Sequence, residues 1–392
     1  MASTPDFGPL VGGTRIQLTG TGFLGNGAAP NRVLIGGREA PLASALSDTT
    51  LEVELPPGEM PGDAPIVVFN HVGQGTATGV FHYSTPPTVG AITPAEVLYT
   101  VPNTRMTVTG SGFMDEGAGF VRVFLDGQQA VDVEVLSDTQ LTFTAIAAAP
   151  LTRPDVKIVN ERGEGVGLRA FRFVPSTRKG LLLFPTNETF FFFYDPVDQS
   201  ILTVPRLASS AGIDAAIMRS VTTNADGELY GQSKLTNQFG RIDFRTQQVV
   251  EGVQQLEQYR SFARIAEQVF AFSRNSSFGS FDLSNGRFTK IGSSAICCQS
   301  ISLAGTTVND LVFTNDQFIT PITATGVVGT PIALNPVRYI RDMRFLDTTL
   351  FAISRNPVDQ GRTDLITIVP GTGATTVVKS FDNQITAMEV FQ

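Results

Sequence analysis

The sequence has 392 residues, yet it contains no tryptophan, only two histidines and two cysteines, and 16% charged residues. So few imidazole and thiol groups exclude most metal centres and most cysteine or histidine nucleophiles, which need several such residues together. No apolar run approaches the roughly 18 residues of a membrane-spanning helix. The net charge of −8 disfavours nucleic acid and anionic membranes as partners. We therefore expect no metal, no cofactor and no membrane span.

The residues that are abundant indicate a folded, strand-rich protein. Hydrophobic residues make up 42% of the chain, which excludes a disordered one, and 38 glycines and 23 prolines are typical of many turns. The only cysteines, Cys297 and Cys298, are adjacent. They are either small residues beside a strand or a vicinal disulfide that stiffens a turn. Residues 1–13 have neither a basic nor an apolar leader segment, so we expect another export route or a leader upstream.

The first half of the sequence is duplicated. Thr19–Phe23 (TGTGF) returns as Thr109–Phe113 (TGSGF), and Leu46–Thr49 (LSDT) returns as Leu136–Thr139, both 90 residues later. Other pairs at the same spacing are Asn70 with Asn160, Gly75 with Gly165, and Phe81 with Phe171. Apolar and polar residues alternate within each copy, which predicts short strands with one buried face. Each copy is long enough for a small two-sheet sandwich.

The duplicated half resembles a known family. Gly8–Phe23 is similar to the opening of an IPT/TIG domain, and so is the S-D-T-x-L step at Ser47–Leu51 and Ser137–Leu141. The second copy departs from the pattern at residues 101–103. The resemblance implies immunoglobulin-like sandwiches, as in bacterial surface proteins, receptor ectodomains and some transcription factors. It implies a spacer or binding role and no reaction.

The two copies differ at their start. A strand-like stretch, Pro87–Thr93, opens the second copy, but the matching positions of the first copy fall before or at the beginning of the sequence. We therefore expect the first sandwich to lack its first strand. Either the chain is trimmed, or a partner donates the strand to the open edge, or the domain tolerates the loss.

The second half has a different spacing. Apolar runs recur at intervals of 39 to 42 residues, with Phe191, Tyr230, Phe270, Val312 and Phe351 as equivalent positions. About 40 residues per four strands is typical of a β-propeller. The stretch at 180–204 lacks an inner strand before it, and 385–391 is an inner strand with no blade after it. The sequence thus predicts a five-bladed propeller closed by its C-terminal strand.

Together these patterns predict an all-β chain with three domains. They are a first IPT/TIG-like sandwich at 1–85, a second at 86–175, and the propeller at 176–392.

Candidate binding residues lie where the inner strands of the propeller begin. Aligning Ile217, Phe262, Ile301, Met343 and Met388 puts polar side chains at one mouth of the channel. Those candidates are Arg260, Gln299, Arg341, Asp214, Asp342 and Tyr259. Arginine forks suit an acidic or polar ligand, although the same residues could be solvated or paired across blades.

The sequence favours binding over catalysis. It contains none of the serine-elbow, zinc-protease or P-loop motifs. The main hypothesis is an extracellular or cell-surface binding or adhesion protein, with the sandwiches as stalk and the propeller as head for a protein or carbohydrate. Alternatives are a virion or appendage component, and a propeller glycosidase or lyase that uses Asp214 and Asp342 as paired carboxylates.

Overall fold

The computed structural model is all-β. It describes residues 1–27, 30–101, 103–114, 118–146, 148, 150–185, 188, 190–205, 221–232, 237–243, 248–293, 301–315 and 317–391. The chain forms two compact units, residues 1–148 with 153–173 and residues 149–152 with 174–392. The first unit contains the two sandwiches and the second contains the propeller.

The first sandwich packs a four-stranded sheet, β1-β3-β7-β6, against a five-stranded sheet, β2-β9-β8-β4-β5. Its strands are β1 (Ala2–Thr4), β2 (Phe7–Pro9), β3 (Arg15–Thr19), β4 (Arg32–Ile35), β5 (Arg38–Glu39), β6 (Ala43–Ser47), β7 (Thr50–Glu54), β8 (Gly62–Asn70) and β9 (Gly73–Ser84). A short 3-10 turn occupies Gly25–Gly27. The alternation in β3 and β7 puts Ile16, Leu18, Leu51 and Val53 into the core between the sheets.

The second sandwich repeats this arrangement. Its strands are β10 (Thr88–Thr93), β11 (Glu96–Leu98), β12 (Thr104–Ser111), β13 (Arg122–Leu125), β14 (Gln128–Gln129), β15 (Val131–Ser137), β16 (Gln140–Ala145), β17 (Val156–Asn160), β18 (Gly163–Gly167) and β19 (Arg172–Val174). The sheet β10-β12-β16-β15 matches β1-β3-β7-β6 strand for strand. The prediction of duplicated sandwiches is therefore confirmed.

The expectation that the first sandwich lacks its first strand is wrong. Residues 2–4 form β1, which pairs with β3 through Ser3 and Leu18. The second copy pairs Ile92 with Val108 in the same place. The prediction missed β1 because the distance in sequence between β1 and β10 is one residue shorter than the 90 residues that separate the rest of the two copies. Since β1 already pairs with β3, the case for a strand-donating partner at this edge is removed.

The two motifs that reveal the duplication meet in one turn. The carboxylate of Asp48 accepts hydrogen bonds from the backbone N–H groups of Gly22 (3.3 Å), Leu24 (3.0 Å) and Gly25 (2.7 Å). Asp138 accepts the equivalent bonds from Gly112 and Met114 in the second copy. The TG-x-GF loop and the S-D-T step thus belong to a single capped turn, which seats Phe23 and Phe113 in the two cores.

This turn gives a pH-dependent prediction. The backbone N–H bonds from Gly25, Leu24 and Gly22 lower the pKa of Asp48, so its stabilising contribution is present above the ordinary aspartate pKa and is lost as the pH falls through the lowered value. We expect Asp48→Ala to lower the urea midpoint of the first sandwich at about pH 7, and the gap to the wild type to narrow at about pH 3. Asp6→Ala, also an exposed aspartate, is the control, and an equal gap at both pH values would contradict the assignment.

The described residues of the second unit form five four-stranded sheets, the blades of the propeller. The strands are β20 (Gly180–Pro185), β21 (Phe190–Asp195), β22 (Ser200–Pro205), β23 (Val221–Thr223), β24 (Leu229–Gln232), β25 (Gln238–Asp243), β26 (Gln248–Gln254), β27 (Tyr259–Ile265), β28 (Gln268–Ser273), β29 (Ser277–Asp282), β30 (Arg287–Ser293), β31 (Ile301–Ala304), β32 (Val312–Asn315), β33 (Phe318–Pro321), β34 (Ile332–Ala333), β35 (Ile340–Leu346), β36 (Thr349–Arg355), β37 (Thr363–Ile368), β38 (Thr375–Phe381) and β39 (Ile385–Phe391).

Blades one to four are β23–β26, β27–β30, β31–β34 and β35–β38, each in chain order. Blade five is β22-β21-β20-β39, so the C-terminal strand supplies its inner strand. The inner strands β23, β27, β31, β35 and β39 contact one another around the ring, and β39 contacts β23. The predicted closure is therefore confirmed.

Three of the predicted strand equivalences need correction. Phe191 lies on β21, the third strand of its blade, and Leu182 on β20 holds the position of Phe351, because Leu182 pairs with Glu389 as Phe351 pairs with Arg344. On the inner strands, Leu303 is the equivalent of Met343, two residues beyond the predicted Ile301. In blade one the equivalent is Val221 instead of Ile217, which lies outside the described residues.

Candidate functional site

Two arginines lie on β-bulges at the end of the propeller channel where the inner strands begin. In β27 the pairing passes from Tyr259 to Ser261 and leaves Arg260 as a bulge, and in β35 it passes from Ile340 to Asp342 and leaves Arg341 as a bulge. A bulge bends its strand and re-aims the side chain of the extra residue. We call this end the arginine mouth.

Each bulged arginine has a second arginine beside it on the neighbouring strand. Arg274 follows β28, and its backbone N–H donates to the carbonyl of Gln258 at 2.6 Å. Arg355 ends β36, and its N–H donates to the carbonyl of Tyr339 at 3.1 Å. The pairs Arg260 with Arg274 and Arg341 with Arg355 therefore occupy equivalent positions of blades two and four. Neither Arg274 nor Arg355 stands out in the sequence, because their nearness to Arg260 and Arg341 depends on strand register.

Arg341 is half-buried and lies close to a second positive charge. Its guanidinium donates to the carbonyl of Ile385 at 3.2 Å. Burial lowers the pKa of Arg341, and the nearby charge of Arg355 lowers it further, yet a guanidinium stays protonated at neutral pH. Among the residues the structure describes, neither Arg341 nor Arg355 forms an ion pair with a carboxylate.

Tyr259, another predicted binding residue, does not line the mouth. Tyr259 is buried, and its ring packs between Phe262, Phe281 and Phe288. Burial, assisted by the charge of Glu257, raises the pKa of Tyr259 to about 12, so its hydroxyl does not ionise at neutral pH. The remaining predicted residues Asp214, Gln299, Cys297 and Cys298 lie outside the described residues.

Asp342 lies in the interior of the ring. The prediction that it is a ligand-binding residue at the mouth is therefore corrected. It is 2% exposed, and its carboxylate accepts hydrogen bonds from the hydroxyl of Ser302 at 3.0 Å and the backbone N–H of Met388 at 2.9 Å. Ser302 in turn accepts the N–H of Met343 at 2.9 Å. These side chains satisfy one backbone donor each on the inner strands β35 and β39, which would otherwise be buried unpaired.

Arg344 closes the channel below the mouth. From β35 its guanidinium donates to Asp342 at 2.7 Å, to Glu389 on β39 at 3.0 Å, and to the carbonyl of Val221 on β23 at 2.5 Å. We call Asp342, Arg344 and Glu389 the channel plug. Burial raises the pKa of both Asp342 and Glu389. Burial alone would lower the pKa of Arg344, but the two carboxylates raise it, so the three groups depend on one another.

Two hollows lie at the other end of the inner strands. A cavity of about 290 Å³ is lined by residues from all five inner strands or the turns after them, among them Thr223, Arg264, Thr306, Asp347 and Glu389. A more open groove of about 910 Å³ borders blade two and also contains Arg264. Arg344 and Glu389 of the channel plug also line the smaller cavity.

Residues 1–83 match the family model of the IPT/TIG domain. The N-terminal sandwich is an IPT/TIG domain. The family match agrees with the residues that carried the resemblance, since the capped TG-x-GF turn lies inside it.

Solved structures also resemble the chain. A Bacteroides thetaiotaomicron protein of unknown function is 12% identical, with 75% of this chain and 86% of that chain covered and a TM-score of 0.33. The plexin A4 extracellular region is 17% identical over 54% of this chain and 20% of that one, with a TM-score of 0.29. SGBP-B of Bacteroides uniformis, from a xyloglucan utilization locus, is 16% identical over 47% and 50%, with a TM-score of 0.21. The chain thus spans a fifth of the plexin region and half of SGBP-B.

Groups of three or more histidine, cysteine, aspartate or glutamate side chains that could hold a metal ion do not occur among the described residues. None of the helices found there is long and apolar enough to cross a membrane.

Proposed function

We propose that the chain is a non-enzymatic extracellular or cell-surface binding protein, in which the propeller binds the ligand and the sandwiches serve as a stalk. The observation that carries the proposal is the arginine mouth, where Arg260 and Arg341 occupy equivalent bulges of blades two and four. Two inner strands, β27 and β35, each carry a bulged arginine at the same end of the channel. This repetition favours a binding surface at that end. The IPT/TIG domain at residues 1–83 supports the stalk role.

The closed channel supports binding over hydrolysis. A glycosidase needs two carboxylates that face the scissile bond, one of them free to give or take a proton. Asp342 is the described member of the predicted pair, and its oxygens are engaged by Ser302, Met388 and Arg344 within the ring. The mouth offers guanidinium groups, which hold anionic or polar groups through paired N–H donors.

The proposal is tested by applying the full chain to an array of glycans and proteins. We expect at least one ligand class to bind, and we expect the double variant Arg260→Ala with Arg341→Ala to lose about tenfold or more of that affinity, because each bond to a charged partner contributes about 1.5–3 kcal/mol. Arg122→Ala with Arg287→Ala, exposed arginines elsewhere, is the matched control. Absence of any ligand, or turnover of a glycan, would contradict the proposal.

A further inference from the structure

The pair Arg341 and Arg355 of blade four has different neighbouring side chains from the equivalent pair of blade two. In blade two, Arg274 contacts the side-chain oxygen of Gln258 at 3.4 Å, and Tyr259 is buried beneath the strands. In blade four, no side-chain hydrogen bond or ion pair engages the guanidinium of Arg355 among the described residues. Two adjacent cations without a carboxylate partner favour an anionic ligand, because the ligand removes their mutual repulsion.

An aromatic ring stands beside this pair. Tyr339 is 50% exposed and comes two residues before Arg341, and its carbonyl accepts the backbone N–H of Arg355 at 3.1 Å. Gln317 from blade three donates its amide N–H to the hydroxyl of Tyr339 at 2.9 Å, which fixes the ring. A held tyrosine offers a flat apolar face with a polar edge.

These groups match the parts of an acidic sugar. A carboxylate accepts paired N–H bonds from guanidinium groups, while the C–H face of a pyranose packs against an aromatic ring. We propose that Arg341 and Arg355 bind the carboxylate of an acidic saccharide whose ring packs on Tyr339. This inference rests on the proposed binding function and assigns it to blade four. A saccharide is favoured over an acidic peptide because Tyr339 supplies a flat face next to the cations.

The inference is tested by calorimetry with the full chain and trigalacturonate as the probe. We expect binding that weakens as salt rises, since exposed charges are screened. Arg355→Gln should weaken it by about 10- to 100-fold, which corresponds to the loss of a bond to a charged group. Arg355→Lys should lose less affinity than Arg355→Gln, because it keeps the positive charge. Tyr339→Ala should also weaken binding. Arg287→Gln, an exposed arginine on the outer strand of blade two, is the matched control and should bind like the wild type.

Three results would overturn the inference. One is that trigalacturonate does not bind, and another is that its methyl ester, which lacks the charge, binds equally well. The third is that Arg355→Gln binds unchanged while its melting curve is that of the wild type. A triglutamate peptide that binds in place of the saccharide, with the same dependence on Arg355, would reassign the pair to acidic peptides. An array ligand that survives loss of Arg341 and Arg355 would refute only this inference, whereas an empty array would refute the proposed function as well.

Discussion

Replacing Arg344 by methionine is expected to lower the free energy of unfolding of the propeller by about 3–5 kcal/mol, because the change leaves two buried carboxylates without their cation. Asp342 and Glu389 are 2% and 4% exposed, so water cannot replace the lost bonds. The substitution also removes the donor to the carbonyl of Val221, which joins blade four to blade one. Calorimetry of the full chain measures the effect as a lower melting temperature of the propeller transition.

The matched control for this change is Arg355→Met, an exposed arginine in the same blade, for which we expect a change within about 0.5 kcal/mol. A second variant separates charge from packing. Asp342→Asn, Arg344→Met and Glu389→Met together should recover most of the loss, because no buried charge remains and an amide oxygen at position 342 can still accept the N–H of Met388. If Arg344→Met were no more destabilising than Arg355→Met, the channel plug would not contribute to stability.

Removing the C-terminal strand is expected to abolish cooperative unfolding of the propeller. A chain that ends at Gln384 loses Ile385, Met388 and Phe391, each of which contributes about 1.5–3 kcal/mol through burial. It also loses Glu389 and the N–H that Asp342 accepts. The sum is comparable to the whole stability of a domain, about 5–15 kcal/mol. Calorimetry should show the transition of the sandwiches and none from the propeller.

Val377→Ser is the control for this truncation, because Val377 lies on the outer strand β38 and is 43% exposed. That variant should retain both transitions. A truncated chain that also kept both would mean that β39 is dispensable for the ring.

Much of the fold follows from local patterns in the sequence. The sandwiches are predictable because Ile16 and Leu18 alternate with polar residues and because the capped turn is copied intact. The turns between the third and fourth strands of two blades, at 195–198 and 282–286, also follow from local sequence, because Asp-Pro-Val-Asp and Asp-Leu-Ser-Asn-Gly consist largely of residues typical of turns. Closure by residues 385–391 follows from simple counting, since blade five would otherwise have one strand too few.

The candidate site was harder to predict because it depends on register. Because the blades differ in length, the predicted alignment of the inner strands is wrong by two residues at Ile301. Such a shift changes which side chains of neighbouring inner strands lie at the same height along the channel. The sequence alone predicts Asp342 at the mouth of the channel. Its contacts with Met388 and Arg344 show that it lies inside the ring. Arg355 follows Arg341 by 14 residues and becomes its neighbour only through the hairpin of β35 and β36.

A ring closed by β39 should hold the arginine mouth in shape, and hydrogen exchange of the intact chain tests this closure. Peptides that cover β39 should exchange as slowly as those that cover β20 and β36, because all three open only when the whole propeller unfolds. Arg344→Met should accelerate exchange in all three together. Rapid exchange of residues 385–391 while β36 stays protected would mean that β39 does not close the ring.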